Sequence, residues 1–282
     1  MTFYLTVFIF AIAAAGTEIS SGNSILFPSA RVAVKQFFEW FGELGVFTWR
    51  VIRTSLVPPY EFREFLRQLY AVGPQSLPLV ALAGAATGVV MSLQSRDSLS
   101  RMGAKTLLPS VIVYAVIKEM APIITGLVVS GRVGAGIGAE LGSMKVTEQI
   151  DAMEVSDVNP YKFLAAPRIL ACILMLPLLT LAADFCGIMM GWITTAMMEP
   201  ISLRLFMDHG LKAAVFNDLI PPTLKTAVFG LIIGLVATFQ GMRTRGGTAG
   251  VGRSVTSSVV LCSLFIILAD VILVRLIQVF FT

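Results

Sequence analysis

Residues Ile169–Thr195 read ILACILMLPLLTLAADFCGIMMGWITT and contain one charged side chain, Asp184, in 27 positions. A helix that crosses the hydrocarbon core of a bilayer needs about 20 predominantly apolar residues, so this stretch can span a membrane with some tilt. Four other stretches have the same character: Pro74–Leu93, Leu107–Val129, Leu224–Phe239 and Val255–Phe281. The chain is therefore predicted to be an all-α integral membrane protein with five transmembrane helices.

The composition agrees with this prediction and excludes an ordinary soluble enzyme. Of the 282 residues, 56% are hydrophobic and 13% are charged, whereas soluble domains average about 25% charged residues. The sequence contains no G-x-x-x-x-G-K-[ST] phosphate-binding motif, so any ATP and Mg²⁺ chemistry is expected in a partner. The G-x-G-x-x-A string at Gly134–Ala139 follows an apolar helix instead of a strand, which argues against a dinucleotide site.

Neither the histidine nor the cysteines form a recognisable catalytic or metal-binding motif. His209 lies in a polar connection and is expected to be a solvated loop residue. Cys172, Cys186 and Cys262 fall in apolar stretches without metal-ligand spacing, and we expect them to pack as small apolar residues. We predict no catalytic residue, no metal site, no cofactor and no nucleic-acid partner.

The segment before the first span has an amphipathic pattern. Residues Arg31–Arg53 mix aromatic and aliphatic side chains with charged ones, as in a helix that lies in the headgroup layer. Pro58 and Pro59 interrupt this pattern, and Glu61–Tyr70 resumes it. We divide the chain into three parts: an N-terminal extension at 1–30, interfacial amphipathic helices at 31–72 and a five-span domain at 73–282.

The apolar residues Met1–Ala15 are too few to span a bilayer. Two interpretations remain open, a membrane-associated extension and a signal peptide. No positive residue precedes the apolar run, which favours the extension.

The distribution of positive charge predicts the orientation. Segments 1–73, 130–168 and 240–254, which share one side if the N-terminus is cytoplasmic, hold thirteen Lys and Arg residues. The connections on the other side hold six: Arg96, Arg101, Lys105, Arg204, Lys212 and Lys225. Because cytoplasmic loops carry the excess of Lys and Arg, we predict a cytoplasmic N-terminus and a C-terminus on the opposite side.

Small residues recur at four-residue spacing inside the apolar stretches, which lets helix backbones approach closely in lipid. The pattern predicts a tightly packed bundle, with a subunit interface as a further expectation. The glycines concerned are Gly84, Gly88, Gly134, Gly138, Gly142, Gly187, Gly191, Gly230 and Gly234.

Several charges fall inside the predicted spans, where they are costly and normally face a cavity or a partner. Lys118 and Glu119 are adjacent, about 100° apart on a helix, so they are not expected to pair with each other. We expect one to face a cavity and the other to meet a neighbouring helix. For Asp270 we favour a structural pair inside the bundle.

The connection between the second and third spans is acidic, although it lies on the side where positive charge is expected. Residues 139–155 are predicted to form a short amphipathic helix in which Leu141, Met144 and either Ile150 or Met153 share one face. An anionic leaflet would repel such a helix, whereas a protein partner with a basic groove would attract it. A solvated acidic loop is the alternative.

A family resemblance rests on motifs from the second span to residue 160: Lys118-Glu119-Met120-Ala121-Pro122, Ser130-Gly131-Arg132-Val133-Gly134, Ala139-Glu140-Leu141-Gly142, Thr147–Met153 and Asn159-Pro160. These resemble the MlaE (YrbE) permeases, the membrane subunits of ABC transporters that move phospholipids between the two membranes of Gram-negative bacteria. The similarity extends from about Gly73 to the C-terminus. The family usually has Arg where Lys118 stands, and lysine lacks the planar fork that binds phosphate bidentately.

The resemblance implies a homodimer of five-span subunits in the bacterial inner membrane, with a periplasmic C-terminus. Its partners would be a cytoplasmic ABC ATPase, a periplasmic ring of MCE-domain subunits and, in many systems, a STAS-domain protein; its substrate would be a phospholipid. Candidates for the lipid cavity are Met91, Leu99, Lys118 and Glu119. Candidates for a coupling helix that docks into the ATPase are Glu140, Met144, Glu148, Asp151, Met153 and Glu154.

Other functions remain open at this point. An ion-coupled secondary transporter would use Asp184, Asp270 and Glu119 as proton carriers. A membrane scaffold would use the glycine seams only to organise an assembly. An importer of sterols or of another hydrophobic substrate is a further alternative within the same family.

Overall fold

The computed structural model describes residues 30–55, 61–213 and 216–281, and within these residues all regular structure is helical. The predicted extension at 1–30 lies almost entirely outside the described residues, as do Pro58 and Pro59. The chain divides into two compact units, residues 1–57 and residues 58–282. The first unit contributes one described helix, α1 (Ala30–Ser55), whose exposed aromatic side chains include Phe38 and Trp49.

The second unit is a bundle of long apolar helices. Its α-helices are α2 (Phe62–Val72), α3 (Leu77–Arg101), α4 (Leu108–Ala115), α5 (Ala121–Val129), α6 (Ala135–Val146), α7 (Gln149–Val155), α8 (Ala166–Met198), α9 (Leu203–Ala213), α10 (Phe216–Met242) and α11 (Gly247–Phe281). Three π-helical turns, at Val116–Met120, Ser130–Gly134 and Tyr161–Ala165, and a 3₁₀ turn at Lys105–Leu107 join some of them into longer rods.

Five rods are long and apolar enough to cross a membrane: Phe62–Arg101, Lys105–Val146, Tyr161–Met198, Ile220–Met242 and Gly247–Val279. The five-span, all-α prediction is therefore confirmed. Several boundaries differ from the prediction, since the first rod begins at Phe62 instead of Pro74 and the second ends at Val146 instead of Val129. The first span continues through Arg96 to Arg101, and the fourth begins before Pro221 and Pro222, because proline is tolerated in membrane helices where neighbouring groups satisfy the freed carbonyls.

The third span, α8, packs along α3 and α10 at glycine contacts. A methyl group added to Gly88 would overlap the carbonyl oxygen of Gly187, and one added to Gly230 would overlap that of Cys172. At such positions the missing side chain lets two helix backbones touch. The predicted close packing is thus present within one chain, although Gly134 has no neighbour nearer than 3.8 Å to an added methyl group.

The polar and cysteine predictions have mixed outcomes. Cys172 and Cys262 are buried in the apolar core, as expected of small packing residues. His209 is exposed, but it lies on α9 and not in a loop, and its carbonyl accepts a hydrogen bond of 2.9 Å from Ser110. Lys225, counted above as an outer loop charge, is instead buried on α10. When Lys225 is no longer counted with the connections opposite the predicted cytoplasmic side, the excess of Lys and Arg on the predicted cytoplasmic side increases.

We expect Gly88→Ala to destabilise the bundle by about 1–3 kcal/mol, because the added methyl group has no space between α3 and α8. The matched control is Gly136→Ala, where an added methyl group meets nothing within 4 Å. In the control the better helix propensity of alanine leaves stability unchanged or raises it by up to about 1 kcal/mol. Thermal unfolding of the detergent-solubilised protein measures both, and equal midpoints would contradict the glycine contact.

Candidate functional site

The second span is interrupted by a π-helical turn at its two adjacent charged residues. Lys118 and Glu119 both lie in the turn Val116–Met120, directly before Pro122. A π turn inserts one extra residue into a helix and is frequent at functional sites. Here the side chains of Lys118 and Glu119 have different surroundings. This agrees with the prediction that they do not pair with each other.

Glu119 belongs to a buried ion cluster formed with Lys225 and Asp270. The ammonium of Lys225 donates a hydrogen bond of 3.0 Å to Glu119 Oε2 and lies 2.9 Å from Asp270 Oδ1. It also donates to the backbone carbonyl of Lys118 at 3.2 Å. The cluster therefore joins the π turn, α10 and α11 through one cation whose side chain is 1% exposed.

This cluster confirms the structural pair expected for Asp270 and identifies its partner. A buried ammonium is tolerated only when opposite charge and hydrogen bonds replace its water. Two carboxylates face one ammonium, so the described cluster has an excess of negative charge. Glu119 keeps 40% of its side chain exposed, so part of this charge is accessible from outside the bundle.

Lys118 points away from the ion cluster. Its ammonium donates a hydrogen bond of 2.5 Å to the hydroxyl of Tyr114 and lies 4.5 Å from the centre of the Tyr114 ring. The tyrosine is exposed on the surface of α4. The π turn thus presents an ammonium, a phenol and a carboxylate beside apolar helix surface, which suits an amphipathic ligand with a charged end.

The other two cavity candidates lie on α3, outside the ion cluster. Met91 and Leu99 are two helical turns apart, half-buried, and pack against the apolar core. Asp184, on α8, is 5% exposed, and its carboxyl oxygens have no hydrogen-bond partner among the described residues. Glu119 and Asp270, in contrast, each form an ion pair with Lys225, although Asp270 Oδ1 accepts no hydrogen bond from the described residues.

The C-terminal ends of α3 and α8 are joined by polar contacts. Ser92 shares a hydrogen bond of 2.8 Å with Thr195, and one turn further Arg96 Nε lies 3.6 Å from Glu199 Oε1. Lys105 donates to the same oxygen at 3.0 Å. This hydrogen bond and the two positive charges hold the pKa of the Glu199 carboxyl below its usual value.

The connection between the second and third spans, called the inner connection below after its predicted cytoplasmic side, forms two helices. The sequence had predicted a single helix for residues 139–155. Helix α6 ends at Val146, and α7 begins at Gln149 after Glu148, which has a left-handed backbone (φ 59°). The break turns α7 so that Ile150 is buried, while Met144 and Met153 are half-buried against the core. The apolar face predicted for this segment therefore holds it on the bundle.

Beside the buried Ile150, the segment Glu148–Val155 presents an acidic face that is exposed. Glu148, Asp151 and Glu154 all reach solvent, and Val155 beside them is 90% exposed. Lys145 forms an ion pair of 2.5 Å with Asp151 across the break. Glu140 does not belong to this face, because its carboxylate lies 2.9 Å from Arg168 at the start of α8.

Three structural cations received no role in the sequence analysis: Lys225, Arg168 and Arg132, the last of which appeared there only as part of a family motif. Arg132 donates to the carbonyl of Ala71 at 3.1 Å, to Ser76 Oγ at 2.6 Å and to Gln75 Oε1 at 2.9 Å, so it anchors the turn between α2 and α3. Lys225 is the second residue of the predicted span Leu224–Phe239 and was counted with the connection. The helix extends beyond Pro221 and Pro222 and places Lys225 deeper than the pattern indicated. Its spacing from Asp270 carries no local signal, since only packing brings α10 and α11 together.

We expect Lys225→Met to lower the free energy of unfolding by about 3–5 kcal/mol, because it leaves the buried carboxylate of Asp270 without a cation. Adding Asp270→Leu should recover at least half of the loss, since an apolar pair fills the same space. Lys105→Met, which removes an exposed ion pair, should cost about 1 kcal/mol or less. Thermal unfolding in detergent compares the three, and no recovery in the double variant would contradict the cluster.

Comparison with known proteins identifies the family. The model of the family described as Permease MlaE matches residues 65–276. A probable ABC transporter permease protein of Rickettsia typhi is 34% identical over 241 residues, which cover 86% of this chain and 93% of that protein. A probable ABC transporter permease protein of Synechocystis is 34% identical over 208 residues, covering 74% and 79%.

A plant protein is similar over nearly the same region. Protein TRIGALACTOSYLDIACYLGLYCEROL 1, chloroplastic, of Arabidopsis thaliana is 33% identical over 237 residues, which cover 84% of this chain and 68% of the plant protein. The family predicted from the motifs of the second span and the inner connection is thus confirmed. This chain, with five apolar membrane-spanning rods, belongs to the MlaE family of ABC transporter permeases.

Proposed function

We propose that this protein is the permease subunit of an ATP-driven phospholipid transporter. The observation that carries the proposal is the π turn, where Lys118 and Glu119 present charge beside apolar helix surface. A phospholipid combines a charged headgroup with apolar chains and fits such a surface. The Arabidopsis relative is named after trigalactosyldiacylglycerol, a membrane lipid, which supports a lipid substrate over an ion.

In this proposal the subunit performs no catalysis, and a cytoplasmic ABC ATPase supplies the free energy. The protein would act as a homodimer in the bacterial inner membrane, with its N-terminus cytoplasmic and its C-terminus periplasmic. A periplasmic ring of MCE-domain subunits and a STAS-domain protein would complete the assembly. Dimer conformations would alternate between opening and closing a lipid-holding cavity, so that the bilayer keeps its asymmetric lipid distribution.

The ATPase docking site that we propose is the acidic face of α7. Glu148, Asp151 and Glu154 offer negative charge, and Val155 offers an exposed apolar contact beside them. An apolar contact next to charged side chains is a common arrangement in protein interfaces. Met153 packs α7 against the bundle, and Met144 packs the end of α6 against it.

A proton-coupled transporter is the second candidate, and Asp184 is the observation that favours it. This carboxyl is buried in α8 without a hydrogen-bond partner among the described residues. Glu119 and Asp270, however, are already engaged by Lys225, so the three carboxyls do not form one described relay. We therefore prefer the ATP-driven mechanism.

Native mass spectrometry of the tagged protein from its own host, in mild detergent, tests the proposal. We expect a dimer that carries two ATPase subunits, an MCE-domain ring and a phospholipid mass. A bound sterol would overturn the phospholipid assignment. A chain isolated without a nucleotide-binding partner would overturn the ATP-driven mechanism and make Asp184→Asn the next variant to test for pH-driven flux.

We expect Glu148→Lys or Asp151→Lys to weaken ATPase association at least tenfold, which corresponds to about 1.4 kcal/mol, because each places a positive charge against a basic groove. The dimer should remain in the membrane. The control is Asp97→Lys, an equally exposed charge reversal at the opposite end of the bundle. Quantitative co-purification measures the association, and normal association in both α7 variants would refute the docking face.

Glu119→Lys should reduce co-purified phospholipid without releasing the ATPase, because it places a second ammonium beside Lys225 and reverses the accessible charge. Glu119→Gln keeps the hydrogen-bond acceptor and separates loss of charge from misfolding. We expect an intermediate lipid content for it. Lipid extraction and mass spectrometry of the folded fraction give the result, and an unchanged lipid content in both variants would exclude Glu119 from the lipid site.

A further inference from the structure

The largest fully buried side chain of the described residues is charged. Arg168, in the first turn of α8, is 1% exposed. Its Nη1 donates a hydrogen bond of 2.8 Å to the carbonyl of Leu164, and its Nη2 lies 2.9 Å from Glu140 Oε1 on α6. Its Nε is buried and has no acceptor in the part of the chain that the structure describes.

Stability alone does not account for an arginine at this position. An apolar pair of similar volume often stabilises a fold as much as a buried ion pair or more, because the charges lose their hydration. Glu140 is the single carboxylate within ion-pair distance of Arg168 among the described residues, and it remains 43% exposed. The presence of this ion pair is therefore better explained by its position between α6 and α8.

The pair closes the base of the inner connection. Between Glu140 and Arg168 the chain forms α7, which rests on the bundle through the buried Ile150, and returns through the π turn at Tyr161–Ala165. The outgoing stem is α6 and the returning stem is α8. Glu140 and Arg168 join these two stems directly, side chain to side chain.

Each stem is packed tightly against the rest of the bundle. On α6, a methyl group added to Gly142 would lie 3.0 Å from Thr244 Oγ1, and one added to Gly138 would lie 2.7 Å from Ser258 Oγ. On α8, the backbone of Ile169 contacts Gly234 of α10. A displacement of either stem is therefore passed to α10, and from α8 also to α3.

We propose that Glu140 and Arg168 form a clamp that transmits movement of α7 to the membrane-spanning helices. The clamp makes the stems α6 and α8 move as one body when the ATPase displaces α7. Without it, α7 moves on its two connecting segments while the spans stay in place. This inference rests on the proposed function, and it makes Glu140 a positioning residue that does not contact the ATPase.

The test uses the permease purified with its ATPase and reconstituted in vesicles of phosphatidylethanolamine and phosphatidylglycerol. Transfer of a fluorescent phospholipid and hydrolysis of ATP are measured together. For Glu140→Gln, which keeps an acceptor but removes the charge, we expect unchanged ATPase association and at least a fivefold fall in lipid moved per ATP hydrolysed. This ratio does not change when a variant only lowers the amount of folded protein.

A reciprocal variant separates the clamp from the individual residues. Glu140→Arg combined with Arg168→Glu restores opposite charges, and we expect its ratio to exceed that of Glu140→Arg alone at least threefold. If the reciprocal variant does not fold, Arg168→Lys replaces it. That variant keeps the charge, and we expect a ratio between those of the native protein and Glu140→Gln. The control is Arg67→Gln, which removes an exposed ion pair with Glu64 on α2 and should leave the ratio unchanged.

Two results would contradict the clamp, and a third would contradict the proposed function. A native ratio in Glu140→Gln would overturn the clamp. Loss of ATPase association in Glu140→Gln would also overturn it, because Glu140 would then dock the ATPase directly. An unmodified protein that purifies without an ATPase would refute the proposed function itself, before any variant is compared.

Discussion

The bundle depends on the close approach of α8 to α3 and α10 at glycines. In lipid the hydrophobic effect does not press helices together, so association relies on van der Waals contact and interhelical polar contacts. Gly88 against Gly187 and Gly230 against Cys172 provide this contact on two sides of α8. The third span therefore lies in close contact with both α3 and α10. We expect a movement of α8 to displace these two helices.

Charged side chains join the helices at three levels of this bundle. Arg168 and Glu140 lie at the start of α8, Lys225 lies within the bundle between two carboxylates, and Glu199 follows the end of α8. Each contact joins residues on different helices. Because unpaired charge is costly away from water, the contacts of the buried Arg168 and Lys225 favour one arrangement of the helices that they join.

Sequence patterns predicted the long elements because their signals are local. Apolar length predicted five spans, and four-residue glycine spacing predicted close packing. The motif around Lys118 and Glu119 predicted the family, which the comparisons confirmed. Local patterns failed at breaks and boundaries. The left-handed Glu148 divides the inner helix into two, and Pro221 and Pro222 lie inside a helix instead of before it.

Five apolar stretches, the charges inside them and the motifs of the family can all be recognised in the amino-acid sequence. Which of these charges meet depends on how the helices pack. Lys225 lies between Glu119 and Asp270, and Arg168 lies against Glu140, although 106, 45 and 28 residues separate these pairs along the chain. Such partners share no sequence period, because the packing of distant helices brings them together and local backbone geometry does not.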